Sequence, residues 1–223
     1  LRLRNALITT PEPPPAAQRE LARHAAEAPV SGLYLVQFET GPTPADRAAV
    51  TQLGAELLHF VPDNAFVARL SGVRLGELRA LPAVRWVGEF TPALKLDSRL
   101  KPRLTGRLTE PFAVKLLARP GATPLELRVL ARHLHDSTPR PTLSAGTFFS
   151  GTVNAAELRV LAQSDTVLWI EPAPRMKLVD EVATTIVAGE GSAIGGPAYV
   201  HELGYDGSGV IVAVADSGID SGD

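Results

Sequence analysis

The feature that most constrains this chain is an internal repeat: residues 33–96 and 111–178 run through the same order of apolar runs, turn signals and helix starts. Each copy opens on an apolar run, Leu33-Tyr34-Leu35-Val36-Gln37-Phe38 in one and Phe112-Ala113-Val114-Lys115-Leu116-Leu117 in the other. A turn and a helix start follow, Thr43-Pro44-Ala45-Asp46 against Thr123-Pro124-Leu125-Glu126. In both, Thr suits the cap, Pro the first helical position, and the acid three residues after Thr can reach back to close a capping box. The helical spacing predicts core positions at Val50, Leu53 and Leu57, and at Leu127, Leu130 and Leu134.

Each copy continues with an aromatic strand (Ala65-Phe66-Val67-Ala68 or Thr147-Phe148-Phe149-Ser150) and a second short helix sharing Glu-Leu-Arg at 77–79 and 157–159. Each then has a strand with Trp (Val84-Arg85-Trp86-Val87 or Val167-Leu168-Trp169-Ile170) and Lys-Leu at 95–96 or 177–178. Strand, helix, strand, strand, helix, strand is the order of a small α+β unit in which two helices cover one face of an antiparallel sheet. The expected fold is therefore α+β, with two tandem ferredoxin-like modules. The expected divisions are a leader at 1–31, modules at 32–96 and 111–178, a connection at 97–110 rich in basic residues, and a new unit from 179 to 223. The leader carries Pro13-Pro14-Pro15 and an Ala/Arg/Glu-rich helical segment over Ala16 to Ala28.

Composition narrows the functional classes. With 22 Lys+Arg against 24 Asp+Glu the formal charge is -2, without the basic excess on which sequence-independent nucleic-acid binding depends. No nucleic-acid partner is expected, and a tandem RNA or ligand binder is disfavoured. No run reaches the roughly 18–20 apolar residues of a membrane span. The chain has no cysteine, which removes disulfides and thiolate chemistry. Histidines occur at 24, 59, 133, 135 and 201, and the pair His133/His135 reads as part of a solvated helix face.

From Asp180 the composition turns Gly-rich, and Gly204-Tyr205-Asp206-Gly207-Ser208-Gly209 leads into the unbroken apolar run Val210-Ile211-Val212-Ala213-Val214-Ala215. Such a run between glycines is what a strand buried on both faces of a parallel sheet looks like. It ends in Asp216-Ser217-Gly218-Ile219-Asp220, which places a carboxylate at the carboxyl end of the strand, where open α/β sheets keep their sites. By itself Asp216 could equally cap the turn that Gly218 makes.

The stretch Gly204 to Asp220 resembles the region around the catalytic aspartate of subtilisin-like serine proteases, with about 17 contiguous positions agreeing in residue type and order. The resemblance implies an Asp-His-Ser triad in which Asp216 orients the histidine and stabilises its imidazolium. The family's histidine and serine motifs follow its aspartate, and neither occurs in this sequence, so the chain as written is not expected to cleave peptide bonds. The resemblance also gives the repeat a role, because pro-regions of this family are small α+β units that cap the catalytic domain, assist its folding and inhibit it.

Residues 32–96 look like such a unit, including the segment Val61-Pro62-Asp63-Asn64-Ala65-Phe66; the second copy departs further. The implied reading is the front part of a secreted serine endopeptidase precursor, with self-cleavage near Val179-Asp180. Its partners are its own catalytic domain in cis and peptide substrates. No cofactor is identified in this chain, and calcium is implied only for the full-length catalytic domain. A stand-alone inhibitor or folding chaperone is the alternative that needs no triad.

Overall fold

In the computed structural model the chain divides into two compact units, Leu1–Pro174 and Arg175–Asp223. The structure describes residues 1–23, 27–105, 110–173 and 208–209. Asp216, Val179 and Asp180 lie outside the described residues, as does the Lys-Leu pair at 177–178.

The first unit is α+β, with two four-stranded antiparallel sheets. The first sheet contains β1 (Val30–Phe38), β2 (Ala55–Val61), β3 (Ala65–Val73) and β4 (Val84–Glu89), in the spatial order β2-β3-β1-β4. After α1 (Ala16–Arg23), which precedes β1, its helices are α2 (Pro44–Gln52) and α3 (Leu75–Ala80). A short helix α4 (Lys101–Thr105) leads to the second sheet: β5 (Phe112–Ala118), β6 (His135–Leu143), β7 (Gly146–Val153) and β8 (Val167–Pro172), in the order β6-β7-β5-β8. Its helices are α5 (Pro124–Ala131) and α6 (Ala155–Gln163). The two sheets thus share one strand order and one connectivity.

Local chemistry accounts for the helix starts. Thr43 Oγ1 accepts from the Asp46 amide at 3.2 Å while the Asp46 carboxylate accepts from the Thr43 amide at 2.9 Å, and Pro44 opens the helix. Thr123 and Glu126 repeat the device at 3.2 and 2.7 Å. These hydrogen bonds, the Thr123 amide first, hold the Glu126 carboxyl below its usual range, with help from the buried Arg119 guanidinium 2.6 Å away. A third box, Asn154 with Glu157, opens α6; α3 has Arg74 at its cap and no such bond.

The helices end sooner than their apolar spacing predicts. Gly54, at φ +92, terminates the α2 region, and a side chain there would press on the Ser71 carbonyl at 2.9 Å. Leu57, expected on the helix, is instead on β2. Leu134 likewise lies beyond α5 and is buried from the turn before β6. His133 is in that turn and His135 opens β6, so this pair is not a helix face; His135 Nε2 lies 2.7 Å from Glu157 Oε1. In both copies a turn ends the helical pattern where periodicity alone would continue it: Gly54 at positive φ in the first, and in the second the turn in which the His133 and Leu134 amides donate to Leu130 O and Ala131 O.

The helix-side core of the first sheet includes Val36, Phe38, Val50, Phe66, Leu70 and Leu78. That of the second includes Leu116, Leu130, Phe149, Leu158, Leu161 and Ile170, together with Leu96 from the expected end of the first module and Leu100 from the connection. Leu96 makes an isolated parallel bridge to Ile170: the Ile170 amide donates to Lys95 O at 2.8 Å and the Asp97 amide donates to Ile170 O at 2.9 Å. The expected end of the first module and the start of the expected connection therefore cover the outer edge of β8 and contribute to the second core.

Residues 1–8 form a small hairpin, with an Arg2–Leu7 bridge and the Ile8 amide donating to Leu1 O at 2.9 Å. The Asn5 side-chain amide donates to Ala93 O and Leu94 O at 3.1 and 3.2 Å, and Arg2 pairs with Asp63 at 3.3 Å. Asp63 sits with Asn64 at positive φ in the β2–β3 turn.

Candidate functional site

Because alternate residues of a strand face opposite sides, the register of each sheet fixes what its helix-free face presents. In the first sheet one row across that face is Val67-Leu35-Gly88 and the next is Ala65-Gln37-Trp86. Trp86 lies over Gly88, where any side chain would collide with the indole ring. Leu33, Leu35, Ala65 and Val67 are buried in a cluster completed by Leu1, Leu3 and Ile8 of the hairpin and by Leu168 and Leu117 of the second sheet. This face is closed.

The corresponding rows of the second sheet carry different chemistry. They read Ser150-Lys115-Glu171 and Phe148-Leu117-Trp169. The repeat thus replaces Val-Leu-Gly by a hydroxyl, a cation and a carboxylate, and Ala-Gln-Trp by three large apolar groups. A groove of about 680 Å³ lies over this face, lined by both rows, by Leu143 and by Arg4 from the hairpin. Phe148, Leu117 and Trp169 are half-buried, and Leu143 is 57% exposed. Glu171 is occupied: it pairs with Arg4 at 3.3 Å and accepts from Trp169 Nε1 at 3.0 Å, while the Arg4 guanidinium stacks 5.5 Å from the Trp169 ring. Lys115 is paired with no carboxylate among the described residues.

Between the sheets is a smaller polar cavity of about 220 Å³, where Tyr34 and Glu89 face Lys95 and Asp165. Lys95 is 2% exposed and its Nζ donates to Ser164 O at 2.8 Å. Burial pulls its ammonium down to about 8, against the opposing pull of Asp165 and Glu89. Burial first, then Glu89, raises the Tyr34 hydroxyl.

A lysine whose folded-state value lies below its unfolded one releases its proton on folding, so its contribution to stability grows as pH rises from about 8 and is complete above the unfolded value of about 10.4. Tyr34, shifted upward, works against folding once it ionises above pH 10. Denaturant unfolding of the chain from pH 7 to 10 should therefore show stability rising above pH 8, and Lys95→Met should abolish the rise. Parallel pH profiles for the two proteins would count against a buried ammonium at this position.

Sequence reasoning singled out Asp216, Val179 and Asp180, none of which is among the described residues, and it did not find the groove. The signal was present at Phe148, Leu117 and Trp169, because they alternate with helix-side Phe149, Leu116 and Ile170; recognising them as one row requires the register. Among the described residues no group of three or more His, Cys, Asp or Glu side chains could hold a metal ion. No helix among them is long and apolar enough to cross a membrane.

Residues 2–91 match the model of a family described as a domain of unknown function, DUF8729. The match takes in the hairpin, α1 and the whole first sheet, and it stops before the segment that enters the second core. No curated protein and no solved structure matches the chain.

Proposed function

We propose that this chain is the front part of a subtilisin-like serine protease precursor. Its repeated units are tandem ferredoxin-like pro-modules that assist folding of the catalytic domain and inhibit it, the second module being the one that docks. Asp216 is then the triad aspartate, at the end of the apolar run over residues 210–215 that the sequence reads as a strand, and processing falls near Val179-Asp180. The protein is secreted and its partner is its own catalytic domain. The observation that carries the choice of module is the contrast between the two helix-free faces: the first is sealed by the hairpin and Leu168, whereas the second keeps its aromatic row half-exposed in an open groove. A sealed apolar face has no area left to bury against a partner, while an open row of Phe148, Leu117 and Trp169 does. The resemblance over residues 204–220 supplies the identity of that partner.

The test is titration of purified subtilisin with the 223-residue chain, following hydrolysis of a chromogenic peptide. Inhibition is expected, weakened at least about tenfold by Phe148→Ala, as for a central interface anchor. Leu125→Ala, on the helix side and 64% exposed, should leave it unchanged. Absence of inhibition, or equal inhibition by the Phe148 variant, would overturn the reading.

A further inference from the structure

The charge balance of the groove is uneven in a way that the inhibitor reading does not use. Among the described residues its only lining carboxylate, Glu171, is held by Arg4 and by the Trp169 indole N–H. Lys115 occupies the middle of the face, flanked across the ladder by Ser150 and Glu171 and bordered by the row Phe148-Leu117-Trp169. It is half-buried and without a carboxylate partner among the described residues. With Arg4 and Lys115 against Glu171, the described lining residues carry one positive charge more than they neutralise. An ammonium left unpaired beside apolar surface is costly to cover unless the covering group brings a negative charge, so any partner that buries this face must bring one. At the equivalent place the first sheet has Leu35, which is fully buried within an apolar cluster.

We propose that the groove docks an acidic amphipathic segment, whose apolar side packs on Phe148, Leu117 and Trp169 while a carboxylate pairs with Lys115. Lys115 is then the specificity-determining residue of this face: it selects for acidic partners and rejects basic ones. The identity of the segment as part of a catalytic domain rests on the function proposed above; its chemistry rests on the groove alone.

The probes are two labelled amphipathic peptides of about 14 residues, each with leucines along one side and either glutamates or lysines along the other. Anisotropy titrations at low ionic strength use the whole 223-residue chain, with hydrogen exchange reporting protection of β5 and β7. The acidic peptide should bind at least about tenfold more tightly than the basic one and protect those strands. Lys115→Met should bring the two affinities together, Lys115→Glu should reverse their order, and Phe148→Ala should weaken both. Added salt should narrow the difference. Equal binding of the two peptides, an order unchanged by Lys115→Glu, or no protection of β5 and β7 would each overturn the proposal.

A parallel titration with subtilisin blocked by phenylmethanesulfonyl fluoride separates the two ideas. Charge-selective peptide binding without subtilisin binding leaves the groove assignment standing and removes the inhibitor reading. Subtilisin binding that ignores Lys115 does the reverse.

Discussion

Leu96→Ala should cost about 2–5 kcal/mol, the range for truncating a buried leucine, and the loss should fall on the second sheet although Leu96 directly follows the first. Leu96 is fully buried in the cluster with Leu116, Leu158 and Ile170, and its neighbours Lys95 and Asp97 exchange backbone hydrogen bonds with Ile170. The alanine would leave a cavity beneath the edge of β8. Hydrogen exchange resolves the location: amides of β5, β7 and β8 should lose protection while those of β1 and β3 keep theirs. Uniform loss across both sheets, or no loss, would contradict the assignment of Leu96 to the second core. A consequence for dissection follows directly. A fragment begun at residue 111 lacks Leu96 and Leu100, and should fold less stably than one begun at residue 92.

Gly146→Ala is the other substitution with a large expected effect, about 3–5 kcal/mol from backbone strain and overpacking together. Gly146 opens β7 at φ +126, a conformation that disfavours any side chain, and an added Cβ would run into the Ala118 carbonyl oxygen at the end of β5. Because the obstacle is backbone, relief requires moving one strand of the β5–β7 pair. That displacement also disturbs the Phe148-Leu117 pairing at the floor of the groove. The variant should therefore lose stability and groove affinity together, whereas Phe148→Ala loses chiefly affinity. Thermal unfolding followed by circular dichroism, alongside the peptide titrations, distinguishes the two. A Gly146→Ala protein with unchanged midpoint would show that the turn has another solution.

The parts of this fold that were legible in the sequence are those governed by local chemistry. The boxes at Thr43/Asp46 and Thr123/Glu126 are where the three-residue spacing put them, and the repeat carried over into two sheets with one strand order. Apolar periodicity misassigned Leu57 and Leu134, because both are apolar residues just past a helix end that turn geometry enforces: Gly54 in one copy and the His133–Leu134 turn in the other.

Long-range pairing was not legible. Nothing local in Leu96 distinguishes a strand-edge partner of Ile170 from a residue at the end of a module, and nothing in Leu1-Arg2-Leu3 announces that it covers Leu33 and Leu35. The candidate site shared that difficulty. Its floor is a row across three strands, so it becomes visible only when Leu117 is set beside both Phe148 and Trp169.

The bridge between Leu96 and Ile170 also bears on the order in which the chain can fold as it is made. Every strand of the first sheet is synthesised before residue 96, but Leu168 and Ile170 follow about 70 residues later, an interval on the order of 4–15 s at typical elongation rates. For that interval the nascent first sheet lacks its final cover over Leu33, Leu35 and Val67, and the apolar cover already synthesised includes the hairpin carrying Leu1, Leu3 and Ile8, together with Phe90 and Leu94. The amino-terminal hairpin is thus placed to act as a guard during synthesis, shielding a sticky surface from neighbouring nascent chains until the second sheet arrives to seal it.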